Sequence, residues 1–255
     1  VSESRILVTN DDGFRAPGVR ELAEVLDSVG DVWVVAPHTQ QSGESHRLSF
    51  HEPLRMYRHG ERRLSVTGSP ADSVYLALNH LFDNPPDICV SGINHGANLA
   101  DDLNYSGTVA GAAEATLNDV PSVAVSLAGT GRLDFEVASE FAAGLVRKVL
   151  ESGLPRDVFL NVNVPKDADP ETEARVVKLG RRNYRRDVSE KTDPRGRSYY
   201  WIGGAELGFD DLPGSDCNAI TDSDITVTPV HLDATHYAFM GELREWEFDE
   251  WDLDR

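Results

Sequence analysis

Cysteine, lysine and long apolar runs are all scarce in this chain, and each scarcity excludes something. Only Cys89 and Cys217 are present among 255 residues, too few for a thiolate metal framework. Cys89 sits in an apolar run, which predicts a small buried thiol. No stretch approaches the roughly 20 apolar residues of a membrane span. Nor does the first segment show a charged region followed by an apolar signal core, so a cytoplasmic location is expected. The basic residues are few as well: 24 Lys and Arg against 43 Asp and Glu give a net charge of −19. Lysine occurs only at Lys148, Lys166, Lys178 and Lys191; every other basic residue is arginine. So acidic a surface repels polyphosphate and argues against stable nucleic-acid binding. It suits a fold adapted to strong salt, as in a halophile, where counterions screen carboxylate repulsion. What is plentiful is ordinary: 40% apolar residues support the core of one large domain, alone or with an appendage.

The chain is organised around Ile6-Leu7-Val8-Thr9-Asn10-Asp11-Asp12-Gly13. A short apolar run ending in two adjacent acids reads as a buried strand and a tight turn on Gly13. Val19, Leu22, Ala23 and Leu26 follow at helical spacing, Gly30 stops the helix, and Val32–Ala36 is a second buried strand. Strand, helix and strand in this length form a right-handed crossover, so the Asp11-Asp12 turn and the loop after Ala36 open at one sheet edge. Residues 55–66 predict a hairpin turning at His59-Gly60. Ser69-Pro70-Ala71-Asp72 is a helix start with Ser69 as cap and Pro70 at the first position. Strands follow at 87–91, 122–127 and 158–162, separated by a small-residue helix from Ala110 and a long helix from Phe135 to Val149.

Five buried strands alternating with helices predict a Rossmann-like three-layer α/β/α sandwich over residues 1–170. Beyond it, 175–179, 198–202 and 225–230 read as strands without long helices between them. Residues 171–255 are therefore expected to form a β-rich extension, an oligomerisation arm, with an acidic tail bearing Trp246, Phe248 and Trp251. Exposed strand edges give such an arm a reason to pair with a second subunit. The basic stretch Arg181-Arg182-Asn183-Tyr184-Arg185-Arg186 either attracts an anionic substrate or pairs with acidic neighbours, the second being the commoner case.

In an open α/β sheet ligands bind beyond the carboxyl ends of the strands. Three loops there bring Asp11, Asp12, the Ser42 hydroxyl and the Asn94 amide. These oxygen donors, without a thiolate, favour Mg²⁺ or Mn²⁺ over Zn²⁺. Neighbouring acids resist burial unless a cation or proton compensates them, although Asn-Asp-Asp-Gly is also good turn chemistry. Ser106, Gly107 and Thr108 lie where a helix begins, and its free amides and dipole suit a phosphate, whose remaining oxygens these residues and Asn98 could hold; a merely well-capped, tightly packed helix is the bland alternative. Neither a Walker sequence nor the dinucleotide fingerprint is present.

Several blocks together resemble the SurE family, the survival-protein-E type 5′/3′-nucleotidases. They are Asn10-Asp11-Asp12-Gly13, Ser42-Gly43, Gly68-Ser69-Pro70-Ala71-Asp72, residues 91–98 (SGINHGAN), Tyr105-Ser106-Gly107-Thr108-Val109, Asn161-Val162-Asn163-Val164-Pro165, Asp193-Pro194-Arg195-Gly196-Arg197 and Thr228-Pro229. They run in order from about residue 6 to 230. Ser69 and Ser73 replace the usual Thr and Cys. The resemblance implies a phosphomonoesterase that hydrolyses nucleoside monophosphates with one divalent cation, Mg or Mn, per subunit, in a homodimer or homotetramer with a swapped arm. By position, Asp11, Asp12, Ser42 and Asn94 match its metal ligands, with Asp11 and Asp12 as candidate catalytic acids. Asn98 and Ser106-Gly107-Thr108 match its phosphate-contacting segment. An aspartyl-phosphate phosphatase is the alternative enzyme, but Gly13 stands where that chemistry usually has a second Asp. A noncatalytic nucleotide sensor using the same loops is the alternative from another class.

Overall fold

The computed structural model describes residues 4–183, 188–202 and 208–246. The first four strands are β1 (Arg5–Thr9), β2 (Asp31–Pro37), β3 (Met56–Gly60) and β4 (Arg63–Val66). Then come β5 (Ile88–His95), β6 (Ser122–Ala128) and β7 (Val158–Pro165). The later strands are β8 (Ala174–Val176), β9 (Arg182–Asn183), β10 (Val188–Thr192), β11 (Ser198–Ile202), β12 (Gly208–Phe209) and β13 (Ile225–His231). One nine-stranded sheet runs in the order β3-β4-β2-β1-β5-β6-β7-β13-β8. Its centre, β4 to β7, is parallel; β3 and β13 enter antiparallel at the two flanks. Residues after 171 thus supply β13 and β8 to this sheet, while β10–β11 and β9–β12 form separate two-stranded ladders.

The helices are α1 (Pro17–Leu26), α2 (Pro70–Leu76), α3 (Gly107–Leu117), α4 (Glu136–Ser152), α5 (Asp216–Thr221) and α6 (Tyr237–Leu243). Alternation along the strands divides the core in two. Ile6, Val8, Val34, Val90 and Val125 pack with α1 and α4. Leu7, Val35, Cys89, Leu64 and Val66 pack with Val74 of α2 and Ala115 of α3. This makes three layers, as the strand–helix alternation predicts. Cys89 and Cys217 are both buried free thiols.

Burial rather than capping holds α1. Its N-cap, Ala16, makes no side-chain bond, which forgoes about 1 kcal/mol. Val19, Leu22 and Leu26 are all buried to within 1%, worth roughly 1.5–3 kcal/mol each. At α2 the expected start is present as a full capping box between Ser69 and Asp72. The helix then widens into a π-helical turn over Ala77–Leu81. The β3–β4 turn lies at Glu61-Arg62, two residues later than the Gly60 signal suggests. His59 is kept in the strand because its ring stacks on Phe14 and its Nε2 bonds the Ser65 hydroxyl.

Chain order reverses at β1, which has β2 on one side and β5 on the other. That is the topological switch point, and the crevice beyond it opens between the loops after β1 and β5.

Candidate functional site

The turn after β1 is built by its own residues. Asn10 Nδ2 donates to the Gly13 carbonyl at 3.0 Å. Gly13 has φ +98°, and a Cβ there would meet the Thr39 backbone at 3.0 Å, so the position requires glycine. The loop after β2 is tied to this turn by the Gln41 amide, which donates to the Asp11 carbonyl at 2.7 Å. Ser42 is brought alongside in this way. On the other flank the β5–β6 register shifts between Ser91 and Asn94, and such a bulge re-aims the side chains that follow it. Asn94 Nδ2 donates to the Gly96 carbonyl at 2.9 Å, which leaves the amide oxygen as the end available to a ligand.

Asp11, Ser42, Asn94, Asn98 and Ser106 line one cavity of about 340 Å³, together with Gly43, His95, Asp102 and Tyr105. Asp12, Gly107 and Thr108 adjoin it without lining it. The Asp12 carboxylate accepts from the His95 amide at 3.0 Å. The Thr108 hydroxyl donates to Asp11 Oδ1, so its backbone amide is what Thr108 can offer an anion. Gly107 lies so close that a Cβ would stand 2.7 Å from the Asp11 Cβ. Ser106 caps α3, its hydroxyl accepting from the Val109 amide at 3.1 Å. The Gly107 and Thr108 amides have no acceptor within the helix.

Asp11 is 4% exposed. Burial, with the adjacent Asp12 carboxylate adding to it, pushes its carboxyl up to about 6 despite the Thr108 bond. No Lys or Arg lines the cavity. Arg182, from the basic stretch, instead grips Asp102 Oδ2 through Nε and a terminal nitrogen, both at 2.7 Å. For that arginine the acidic-neighbour reading holds; Tyr184, Arg185 and Arg186 lie outside the described residues. Two adjacent carboxylates, one of them buried, plus neutral oxygens and no cation form a donor set that fits a hard divalent ion. Among the described residues no group of three or more His, Cys, Asp or Glu side chains is placed to hold a metal; the other oxygen donors lining this cavity include the Ser42 hydroxyl and the Asn94 amide.

The support beneath Asn98 is not readable in sequence. The Asn98 carbonyl accepts from both Asn161 Nδ2 and Asn163 Nδ2 at 2.9 Å. The Asn98 amide donates to Asn163 Oδ1 at 2.8 Å, and Asn98 Nδ2 donates to the Ser126 hydroxyl at 2.8 Å. Two residues on, the Ala100 amide donates to the buried Asp216 at 2.8 Å. The only hint in the chain is a pair of asparagines inside an otherwise apolar strand.

Comparison with known proteins identifies the family and the fold. The family model described as "Survival protein SurE" matches residues 6–186. A protein of Geobacter metallireducens named "5'-nucleotidase SurE" is 50% identical over 251 residues, covering 98% of this chain and all of that one. The Myxococcus xanthus protein of the same name is 48% identical, covering 96% of this chain and 94% of its own. The crystal structure of the SurE protein from Aquifex aeolicus superposes with a TM-score of 0.85 at 40% identity, covering 94% of this chain and 98% of that one. With the family model spanning well over half of the residues, this chain belongs to the SurE family.

Proposed function

We propose that the protein is a divalent-metal-dependent phosphomonoesterase that hydrolyses nucleoside 5′- or 3′-monophosphates to nucleoside and phosphate. One observation carries the reading: at the switch point a cavity lined by a buried carboxylate with no Lys or Arg beside it, and by the cap residue Ser106, adjoins the free amides that open α3. The first half of that pair suits a metal, the second a phosphate. Relatives of nearly the same length that bear the name 5'-nucleotidase SurE support it.

In this reading Asp11, Asp12, Ser42 and Asn94 hold one Mg²⁺ or Mn²⁺. When bound, that ion neutralises the phosphoryl oxygens and acidifies a water molecule. The chain's residues do the rest. Thr108 fixes the Asp11 carboxylate through its hydroxyl. The Gly107 and Thr108 amides, with Ser106 and Asn98, hold the remaining phosphate oxygens. The asparagine clamp keeps Asn98 at its station. The proton of the attacking water passes to a carboxylate of the Asp11-Asp12 pair, the P–O ester bond breaks in line with the attack, and the departing nucleoside oxygen takes up a proton, which restores the carboxylate for the next turnover. The protein acts in the cytoplasm as a homodimer or homotetramer, and no helix among the described residues is long and apolar enough to cross a membrane.

The test is phosphate release from a panel of nucleoside monophosphates with Mg²⁺, with Mn²⁺ and with EDTA. Metal-dependent release is expected. Binding without release by folded, metal-loaded protein would replace the enzyme with a nucleotide sensor.

A further inference from the structure

A second cavity, of about 380 Å³, lies between α1 and the β2–β4 side of the sheet, and none of its lining residues lines the carboxylate cavity. Its volume is within the roughly 300–1,000 Å³ of small-molecule sites. The floor is apolar: Phe14, Val19, Ala23 and Val34. Phe14 is held firmly, its ring stacked on His59 at 4.4 Å and its amide donating to the Pro37 carbonyl at 2.7 Å. The rim carries Arg15, Arg20 and Arg63 with one acid, Glu24.

Three arginines at one cavity are out of proportion in a chain with 24 basic and 43 acidic residues, where each cation has carboxylates to choose from. Arg63 is partly engaged, with the Val32 carbonyl at 2.8 Å and Asp27 at 3.6 Å. Arg15 and Arg20 are exposed and form no ion pair among the described residues. Counting Glu24 and Asp27 against the three arginines, the rim retains a positive excess. Guanidinium groups fork onto phosphates and also stack on planar rings, while an apolar floor offers nothing to a bare inorganic anion. We propose that this cavity is a second ligand site, taking a phosphorylated, ring-bearing small molecule of nucleotide size. The site is separate from the proposed catalytic one and needs no metal.

Metal-free conditions separate the two sites, because without a cation the carboxylate cavity repels phosphate. The probe is adenosine 5′-(β,γ-imido)triphosphate, titrated calorimetrically in EDTA at low ionic strength into the full chain. Saturable binding at one site per chain is expected. The double variant Arg15→Ala/Arg20→Ala should weaken it at least about tenfold while leaving the thermal midpoint and metal-dependent phosphate release unchanged. Arg132→Ala, an arginine at a different cavity, should leave binding as it is. Pyrophosphate and adenosine, each carrying half of the ligand, should both bind at least about tenfold more weakly. Absence of saturable binding, equal loss in the Arg132 variant, or pyrophosphate binding as tightly as the nucleotide would overturn the proposal.

Discussion

At the carboxyl edge of the sheet, one set of buried polar side chains is bonded into a brace. Asn98, Asn161, Asn163, Ser126 and Asp216 sit at 7% exposure or less and bond one another or the backbone between them. In β11 and α6 the pattern inverts. Trp201 is 61% exposed and Tyr237 66%, and α6 buries none of its residues. The first region spends desolvation on fixing polar groups in place, which is how a site is preorganised. The second leaves apolar area in water, which soluble chains rarely do without a surface to cover it. If the proposed oligomer forms, one region is complete within a single chain and the other only against a second copy.

The largest effect should come from breaking the site at its centre. Asp12→Asn keeps an oxygen for the His95 amide but removes a charge from the cation-binding pair. Phosphate release with saturating Mn²⁺ should fall by at least about a hundredfold, with little change in the thermal midpoint. Residual activity near wild type would remove Asp12 from the machinery. Next is the clamp. Asn163→Ala orphans both the amide and one bond to the carbonyl of Asn98, whereas Asn161→Ala removes only one donor. The first should cost about 3 kcal/mol, which lowers the thermal midpoint by roughly 5–10 °C, and the second clearly less. Equal effects from the two would show that the clamp is not what orders this loop.

The sequence was most informative where cause and effect are local. The β1 turn, the Ser69 cap, the α1 stripe and the alternation of strands with helices rest on neighbours within a few residues, so each is legible in order along the chain. The convergence of Asp11, Ser42, Asn94, Asn98 and Ser106 also followed, because topology alone puts those loops on one edge. The clamp did not, since its bonds join residues 63 and 65 apart and nothing in a strand marks an asparagine as a brace. Thr108 reads as part of a phosphate-binding helix start, yet only the folded chain turns its hydroxyl onto Asp11. The tail is legible only as aromatics in need of cover; Phe248 and Trp251 lie outside the described residues.

Asp11 sharpens the contrast from the opposite direction, because here preorganisation costs stability. Burial holds its folded value near 6 against 3.8 in the unfolded chain. Between those values the folded state binds more protons, so in EDTA stability should fall as pH rises from about 4 to about 6 and level off above. Asp11→Asn keeps an acceptor for Thr108 and removes the buried charge. At pH 8 in EDTA it should unfold about 1–2 kcal/mol later than wild type, with the acid-side slope flattened and activity lost. Denaturant melts at pH 4, 6 and 8 measure this, and a destabilised variant at pH 8 would mean the carboxylate is already compensated without a metal.

The smallest effect on the chain itself should come from the exposed region, and that is what makes it diagnostic. In the β10–β11 ladder Tyr199 and Trp201 lie two residues apart and so share one face, while the Tyr200 hydroxyl reaches Glu190 at 3.2 Å. Within a single chain, Tyr199→Ser/Trp201→Ser removes little buried area and should change intrinsic stability by no more than about 0.5 kcal/mol. If a second copy covers that face, mass action adds a term the lone chain lacks. The wild-type midpoint then rises with protein concentration, and the variant's does not. Sedimentation velocity should show the variant shifted toward a smaller species while its far-UV spectrum is unchanged. An unaltered sedimentation coefficient together with a concentration-independent wild-type midpoint would mean that these aromatics stay in water. The contrast between the two regions would then no longer be one of complete against incomplete, because nothing would be needed to finish the second.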